Sequence, residues 1–250
     1  MAVAVRRSPV RFTRLQQPKA HEYVAEQIRR HIALRLIAPG ESLPSERELA
    51  AMFGVGRPTV QLALKELAGD RLVESRRGRR GGTFVSEPAE DTVVLDELIS
   101  RLLARREELE ELLDYRRAVE PLISRLAARL RRRTDLGAMR ATIRSMISAR
   151  DEPEYMRFDT EFHLAVASAT QNRFLMRTME DIRLQLNDAL SLLPESETWH
   201  RRISGEHEAI FAAIDARDSG GAEKATVLHV DHSDRSVRAT LAAIRRRRSR

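Results

Sequence analysis

Three histidines and an aspartate in the second half of the chain have residue types suited to holding one metal ion. Asp159 and His163 stand four apart in a stretch that reads as helix, so they project from one face. His207 and His229 fall in the apolar-face register of two later helical segments, Glu206-His207-Glu208-Ala209-Ile210 and Ala225-Thr226-Val227-Leu228-His229. Three imidazoles and one carboxylate from three helices suit Zn, Ni, Mn or Fe and leave positions open for water or a ligand. Spacing alone is met more often by surface histidines or by satisfied core histidines. His232, one turn beyond His229, substitutes for it if the register slips, and His200 is expected at the surface.

The first third carries chemistry of a different kind. Residues 1–90 hold 16 basic and 10 acidic side chains, net +6, whereas residues 91–244 hold 23 and 27, net −4. The closing RRRRSR, Arg245–Arg250, adds +5 and brings the chain to +7. A basic first third joined to a mildly acidic remainder suggests a polyanion-binding module attached to a body with another task. Aromatic residues make up only 4%, which argues against base-stacking modes of single-strand binding. Cysteine is absent, which removes disulfides, thiolate zinc sites and thiol nucleophiles together. No run approaches the ~18 apolar residues of a membrane span, and Met1–Val10 lacks an apolar signal-peptide segment, so a soluble cytoplasmic protein is expected.

The elements that must position these groups follow from periodicity. Residues 1–18 have none and read as a flexible basic arm. Val24, Ile28, Ile32 and Leu36 recur every four positions, which predicts a helix stopped by Pro39-Gly40. Ser45 with Glu48 forms a capping box for a short helix that breaks at Gly54. A third helix starts near Arg57, with Pro58 in its first turn. After Leu72-Val73, two β-prone segments flank the Arg- and Gly-rich tip Arg76–Gly82, which reads as a hairpin. Three helices and a basic hairpin make a winged helix-turn-helix over 19–86, whose third helix would enter the major groove. Residues 87–91 read as a linker. Helices at about 92–104, 107–132, 135–149, 153–169, 172–193, 197–217 and 220–244 then form an all-α seven-helix bundle. The fold class is mainly α, and the tail over 245–250 is expected to be disordered.

The string LPSERELAAMFGVGRPTVQLALKEL, with the later GGTFV, resembles the DNA-binding domain of GntR-type bacterial transcription regulators across about residues 19–86. The resemblance implies DNA contacts from Arg47, Arg57, Thr59 and Gln61 and from the wing residues Arg77, Arg79 and Arg80. Arg57 would read a guanine edge through its two-pronged guanidinium. Three positions depart from the family pattern. Gly56 replaces a usual Ser or Thr, which removes a hydroxyl-to-phosphate bond. Gln61 replaces a frequent Arg and suits adenine better than guanine. Arg71 stands where a Gly usually turns the chain; a non-Gly residue at positive φ costs about 1 kcal/mol, but the Arg adds a charge directed at phosphate.

Asp159-x-x-Phe162-His163, Asn172, Glu206-His207 and Ala225-x-x-x-His229 resemble the FCD effector domain of the FadR subfamily across about 108–232. This implies a divalent metal on Asp159, His163, His207 and His229 that recruits a carboxylate-bearing metabolite. Arg116-x-x-x-Glu120 also matches, which implies that Arg116 clamps an anionic effector. The alternative for Arg116 is a helix-surface pair with Glu120. Trp199 is assigned to the core rather than to a lid over the effector.

The reading that unites these features is a ligand-responsive, sequence-specific repressor. It would be a homodimer on a palindromic operator, sensing a small organic acid or sugar acid. A metal-dependent hydrolase is the first alternative, since three His and an Asp can activate water. It lacks a His four residues after His207, a nucleophile elbow and a phosphate-binding Gly loop. The second alternative is a non-specific architectural DNA binder that uses the wing and the tail.

Overall fold

The computed structural model describes residues 19–78, 81–86, 92–193 and 196–248. The arm expected over 1–18, the linker expected over 87–91 and the wing residues Arg79 and Arg80 lie outside them. The first unit runs α1 (Ala20–Ala33), α2 (Glu46–Phe53), α3 (Arg57–Gly69), β1 (Val73–Arg76) and β2 (Gly82–Val85). Val24 and Ile28 of α1, Leu49 of α2 and Val60, Leu64 and Leu67 of α3 share one buried core with Val73 and Val85 of the hairpin.

Local chemistry sets these ends. At α2 the Glu48 backbone N–H donates to Ser45 Oγ at 3.3 Å, and the Ser45 N–H donates to the Glu48 carboxylate at 2.9 Å, which completes the expected box. Gly54 closes α2 in the left-handed region at φ 64°. Arg71 leaves α3 at φ 59°, a strained conformation for a side chain with a Cβ. β1 and β2 pair antiparallel from Val73↔Val85 to Arg76↔Gly82. The segment before α2 adds a third rung: Val85 N–H donates to Glu41 O at 2.9 Å and Leu43 N–H to Thr83 O at 2.8 Å.

The end of α1 differs from its periodicity. The helix stops at Ala33, and Arg35 takes φ 60°. The turn sends Leu36 away from the first core, and it packs, partly buried, against the core of the body. An apolar residue at helical spacing was claimed by a different domain.

Seven helices follow among the described residues: α4 (Thr92–Ala104), α5 (Arg106–Leu130), α6 (Arg133–Ile147), α7 (Glu152–Ser168), α8 (Arg173–Leu190), α9 (Glu197–Asp215) and α10 (Ser219–Arg248). Asp151 caps α7 by accepting from the Glu154 N–H at 2.9 Å, and Asn172 caps α8 by accepting from the Phe174 N–H at 2.9 Å. α10 corrects the expectation of a disordered tail over 245–248, where four arginines continue the helix; the rest of the expected tail, 249–250, lies outside the described residues. Arg248 Nη2 donates to Asp96 Oδ1 at 2.6 Å and Arg248 Nη1 to Ser100 Oγ at 2.8 Å, which holds the end of α10 against α4. No helix among the described residues is long and apolar enough to cross a membrane.

Candidate functional site

α7, α9 and α10 bring His163, His207 and His229 together in the body. One ring nitrogen from each lies within 4.8 Å of the others, and all three side chains are buried. Each ring has its Nδ1 facing a protein partner: Glu120 Oε2 at 3.4 Å for His163, Met146 Sδ at 3.3 Å for His207 and Glu206 Oε2 at 3.1 Å for His229. At His229 the Glu206 carboxylate accepts from the Nδ1–H, a partner that leaves the Nε2 lone pair available. The Nε2 atoms of His163 and His207 are buried and have no hydrogen-bond partner. Nitrogens converging from three rings, two of them without a partner, suit a divalent cation, and the donor set fits the metal that the family resemblance implies.

Burial, the main cause, drives His207 down to about 3 and His163 well below the ordinary imidazole range; nearby His229 and Arg183 push in the same direction. Both rings are therefore neutral near pH 7, as ligation requires.

Asp159 stands beside the triad but is shared. Its Oδ1 is 3.5 Å from His207 Nε2, while its Oδ2 accepts a close hydrogen bond from Arg183 Nη2. Burial raises the tendency of this carboxyl to hold a proton, yet Arg183 and the imidazoles more than offset it and keep the group below the usual carboxylate range. The structure thus gathers three of the four expected ligands around one point and places the fourth at their edge, in the grip of a guanidinium. His232 lies further out, with Nδ1 at 2.5 Å from Glu206 Oε1.

Arg116 is fully buried. Its Nε donates to Glu120 Oε1 at 2.7 Å, and its Nη1 reaches Ser233 Oγ and Asp234 Oδ1, both at 3.1 Å. The Glu120 pair is present, as the alternative reading had it, but in the interior rather than on the helix surface. Arg116 also lines a cavity of about 10 Å³ together with Asp159, Arg183, Trp199, His229 and Ser233. That is room for roughly one water. Trp199 therefore borders the cavity as well as packing on the core. A groove of about 710 Å³ is lined by Tyr155 and His200 and touches none of the triad. His200 is half-buried there, stacked on Tyr155 at 4.1 Å between ring centroids, rather than at the surface as expected.

Sequence reasoning assigned no role to Arg183 or Glu206. Arg183 left a signal: with Asn187 it interrupts the apolar stripe Met179, Leu186, Leu190 of α8. Glu206 left none beyond its position next to His207, because its partners lie on another helix.

On the DNA-binding unit, Arg47, Arg57, Gln61 and Arg77 are exposed and Thr59 is half-buried. Glu46 at the start of α2 binds two of them, with its Oε2 at 3.2 Å from Arg57 Nη2 and 2.8 Å from Gln61 Nε2. It aligns the two side chains proposed from sequence to read bases.

Comparison with known proteins places both halves. Residues 20–85 match the family described as bacterial regulatory proteins, gntR family, and residues 111–232 match the FCD domain. The chain is 34% identical over 237 residues to the HTH-type transcriptional repressor NanR of Cronobacter sakazakii, covering 92% of this chain and 88% of that protein. It is 29% identical over 221 residues to the Glc operon transcriptional activator of Escherichia coli K12, covering 84% and 85%. The solved structure of E. coli McbR/YncC shares the fold at TM-score 0.53 and 16% identity, over 89% of this chain and 99% of that one.

Proposed function

The chain belongs to the GntR family of bacterial regulatory proteins and carries the FCD domain, and from that premise we propose that it is a metal-dependent sensor of a small carboxylate or sugar acid that represses transcription from a palindromic operator. As a member of that family it is a DNA-binding transcription regulator and not an enzyme, which sets the hydrolase alternative aside. The observation that carries the proposal is the pairing of two opposite chemistries around one cavity. His163, His207 and His229 converge beside it, and the guanidiniums of Arg116 and Arg183 line its wall.

In this reading His163, His207 and His229 hold a divalent cation, with Asp159 as the fourth ligand. The cation would supply a Lewis-acid anchor for carboxylate oxygens. Arg116 and Arg183 would supply fixed positive charge for the rest of the anion, in a buried wall with room for about one water. The cavity is small, so a metabolite must displace Trp199 or a guanidinium to enter. That displacement gives the ligand unequal affinity for two conformations, which is what a switch requires. Tyr115 and Leu122, seven apart on α5, are 49% and 46% exposed and support an apolar interface with a second copy. A second copy would place two α3 helices on half-sites related by the protein two-fold.

The test is a thermal-shift screen of metal-stripped and metal-loaded protein against small organic and sugar acids. One acid should raise the melting temperature of the loaded form only. Acids that shift neither form, or both equally, would overturn the metal-dependent reading. Repression is checked separately with a reporter under a promoter that contains the selected operator.

A further inference from the structure

We propose that Arg183, Thr160 and Asn187 form a buried relay that ties the ligand cavity to the end of α1, so that the engagement of Asp159 is felt by the DNA-binding unit. The relay rests on the sensing function proposed above and deepens it.

The relay is continuous on named atoms. Arg183 Nη2 donates to Asp159 on one side and to Thr160 Oγ1, at 3.2 Å, on the other. Asn187 Nδ2 donates to the same Thr160 Oγ1 at 3.2 Å and to the backbone carbonyl of Leu34 at 3.4 Å. The Thr160 hydroxyl in turn donates to Met156 O at 3.0 Å. One hydroxyl has one donor and two acceptor lone pairs, and here all are used. Neither Arg183 nor Asn187 can shift without changing what Thr160 offers the other. All three side chains are 1% exposed or less, so no solvent stands in for a lost bond.

The far end of the relay is placed to matter. Leu34 closes α1, Arg35 turns the chain in the left-handed region, and Leu36 packs against the body core. The end of α1 therefore touches both units: Leu34 O and Leu36 meet the sensor domain, while Ile32 and Ile37 on either side, like Val24 and Ile28, pack in the core that holds α3. Close-packed interiors transmit displacement, so a shift at Leu34 carries to α3. Rim ion pairs join the same units, Arg30 with Glu180 at 2.9 Å and Arg157 with Glu41 at 2.6 Å. Partly exposed, these pairs are open to screening by salt, unlike the buried relay.

The near end has two claims on it. Asp159 gives one oxygen to Arg183 and presents the other to His207. Drawing the carboxylate toward the histidines loosens Arg183, and an anion in the cavity competes for the same guanidinium. A second arrangement is available, because Arg183 Nε and Asn187 Oδ1 are buried without partners.

The test uses the full chain, stripped with chelator and titrated with Zn²⁺, and a duplex recovered by selection from random DNA. Thr160→Val removes the hydroxyl and keeps the branched shape; Asn187→Leu removes both amide bonds. Calorimetry measures Zn²⁺ affinity, and hydrogen exchange follows the amides of residues 34–37. In the wild type, Zn²⁺ should change both that exchange and the duplex affinity by about tenfold. Each variant should bind Zn²⁺ within about threefold of wild type and lose most of both responses. Variants that respond like the wild type overturn the relay alone, as does a wild type that binds Zn²⁺ and shows no response. A wild type that fails to bind Zn²⁺ overturns the sensing function itself. If Asn187→Leu does not fold, Thr160→Val decides the matter.

Discussion

Two arginines, one from each half of the molecule, are held in opposite ways. Arg57 of the DNA-binding unit is 64% exposed and leans on one half-buried carboxylate, Glu46, while Arg116 of the sensor is 1% exposed and bound by Glu120, Ser233 and Asp234. An exposed guanidinium remains hydrated and can exchange its partner for a phosphate or a base at little cost. A buried one has given up its water, so its partners are part of the fold. Charge that must meet a polymer from outside is left free, and charge that must meet a small anion inside is held in place beforehand.

The largest expected effect tests the buried side. Arg116→Met should destabilise the protein by about 3–5 kcal/mol, because it strands the buried carboxylates of Glu120 and Asp234. Denaturant unfolding measures it, and a loss comparable to a surface substitution would break the contrast. The exposed side should behave in reverse. Arg57→Ala should weaken operator binding by roughly 1–3 kcal/mol per half-site and leave unfolding within about 0.5 kcal/mol of wild type. Gel-shift affinity and a thermal melt read the two quantities separately, and an unchanged affinity would remove Arg57 from the DNA contacts.

What the sequence disclosed divides along similar lines. Helices whose apolar residues repeat cleanly were legible, and so were the Ser45–Glu48 box and the hairpin, because each is decided within a few residues; the left-handed turn at Arg71 was expected only through the family pattern, which has Gly there. Helix ends settled by distant partners were not. Leu36 continued the spacing of α1 but packs in the body, and the final arginines looked like a solvated run until Asp96 and Ser100 met Arg248. At the candidate site the three histidines shared a plausible register, but spacing alone favoured ordinary histidines and only the family resemblance singled them out. The attachment of Asp159 to Arg183 spans 24 residues, and that of Glu206 to His229 spans 23. Such pairs have no signature in one sequence beyond a polar residue out of place on an apolar face.

Asp234 sharpens the buried side further. Burial pushes its carboxyl up to about 6 from an ordinary 3.8, against the pull of Arg116. A group whose folded value is raised contributes most at low pH, below 3.8, and that contribution is lost as pH rises through about 6. Asp234→Asn mimics the protonated form and keeps the shape. Its stability relative to wild type should therefore rise between pH 5 and pH 8, by on the order of 1–2 kcal/mol. Thermal melts across that range decide it. A relative stability that falls instead would mean that the ionised carboxylate is what holds Arg116.

The smallest effect bears on the exposed side, at Arg71, which with Arg35 is one of two residues of the DNA-binding unit that carry a Cβ at positive φ. Arg71 sits at φ 59° with its side chain exposed, so the fold gains nothing from the residue that a glycine would not give. Arg71→Gly should stabilise the protein by about 1 kcal/mol by relieving that strain. If the arginine is kept for phosphate, the same variant should also lower the salt dependence of duplex binding by about 0.9 in log–log slope per half-site. A gain in stability with an unchanged slope would assign Arg71 to strain without purpose. A gain in stability with the shallower slope would make it the exposed counterpart of Arg116, a charge held at the expense of the fold for the sake of an anion that arrives later.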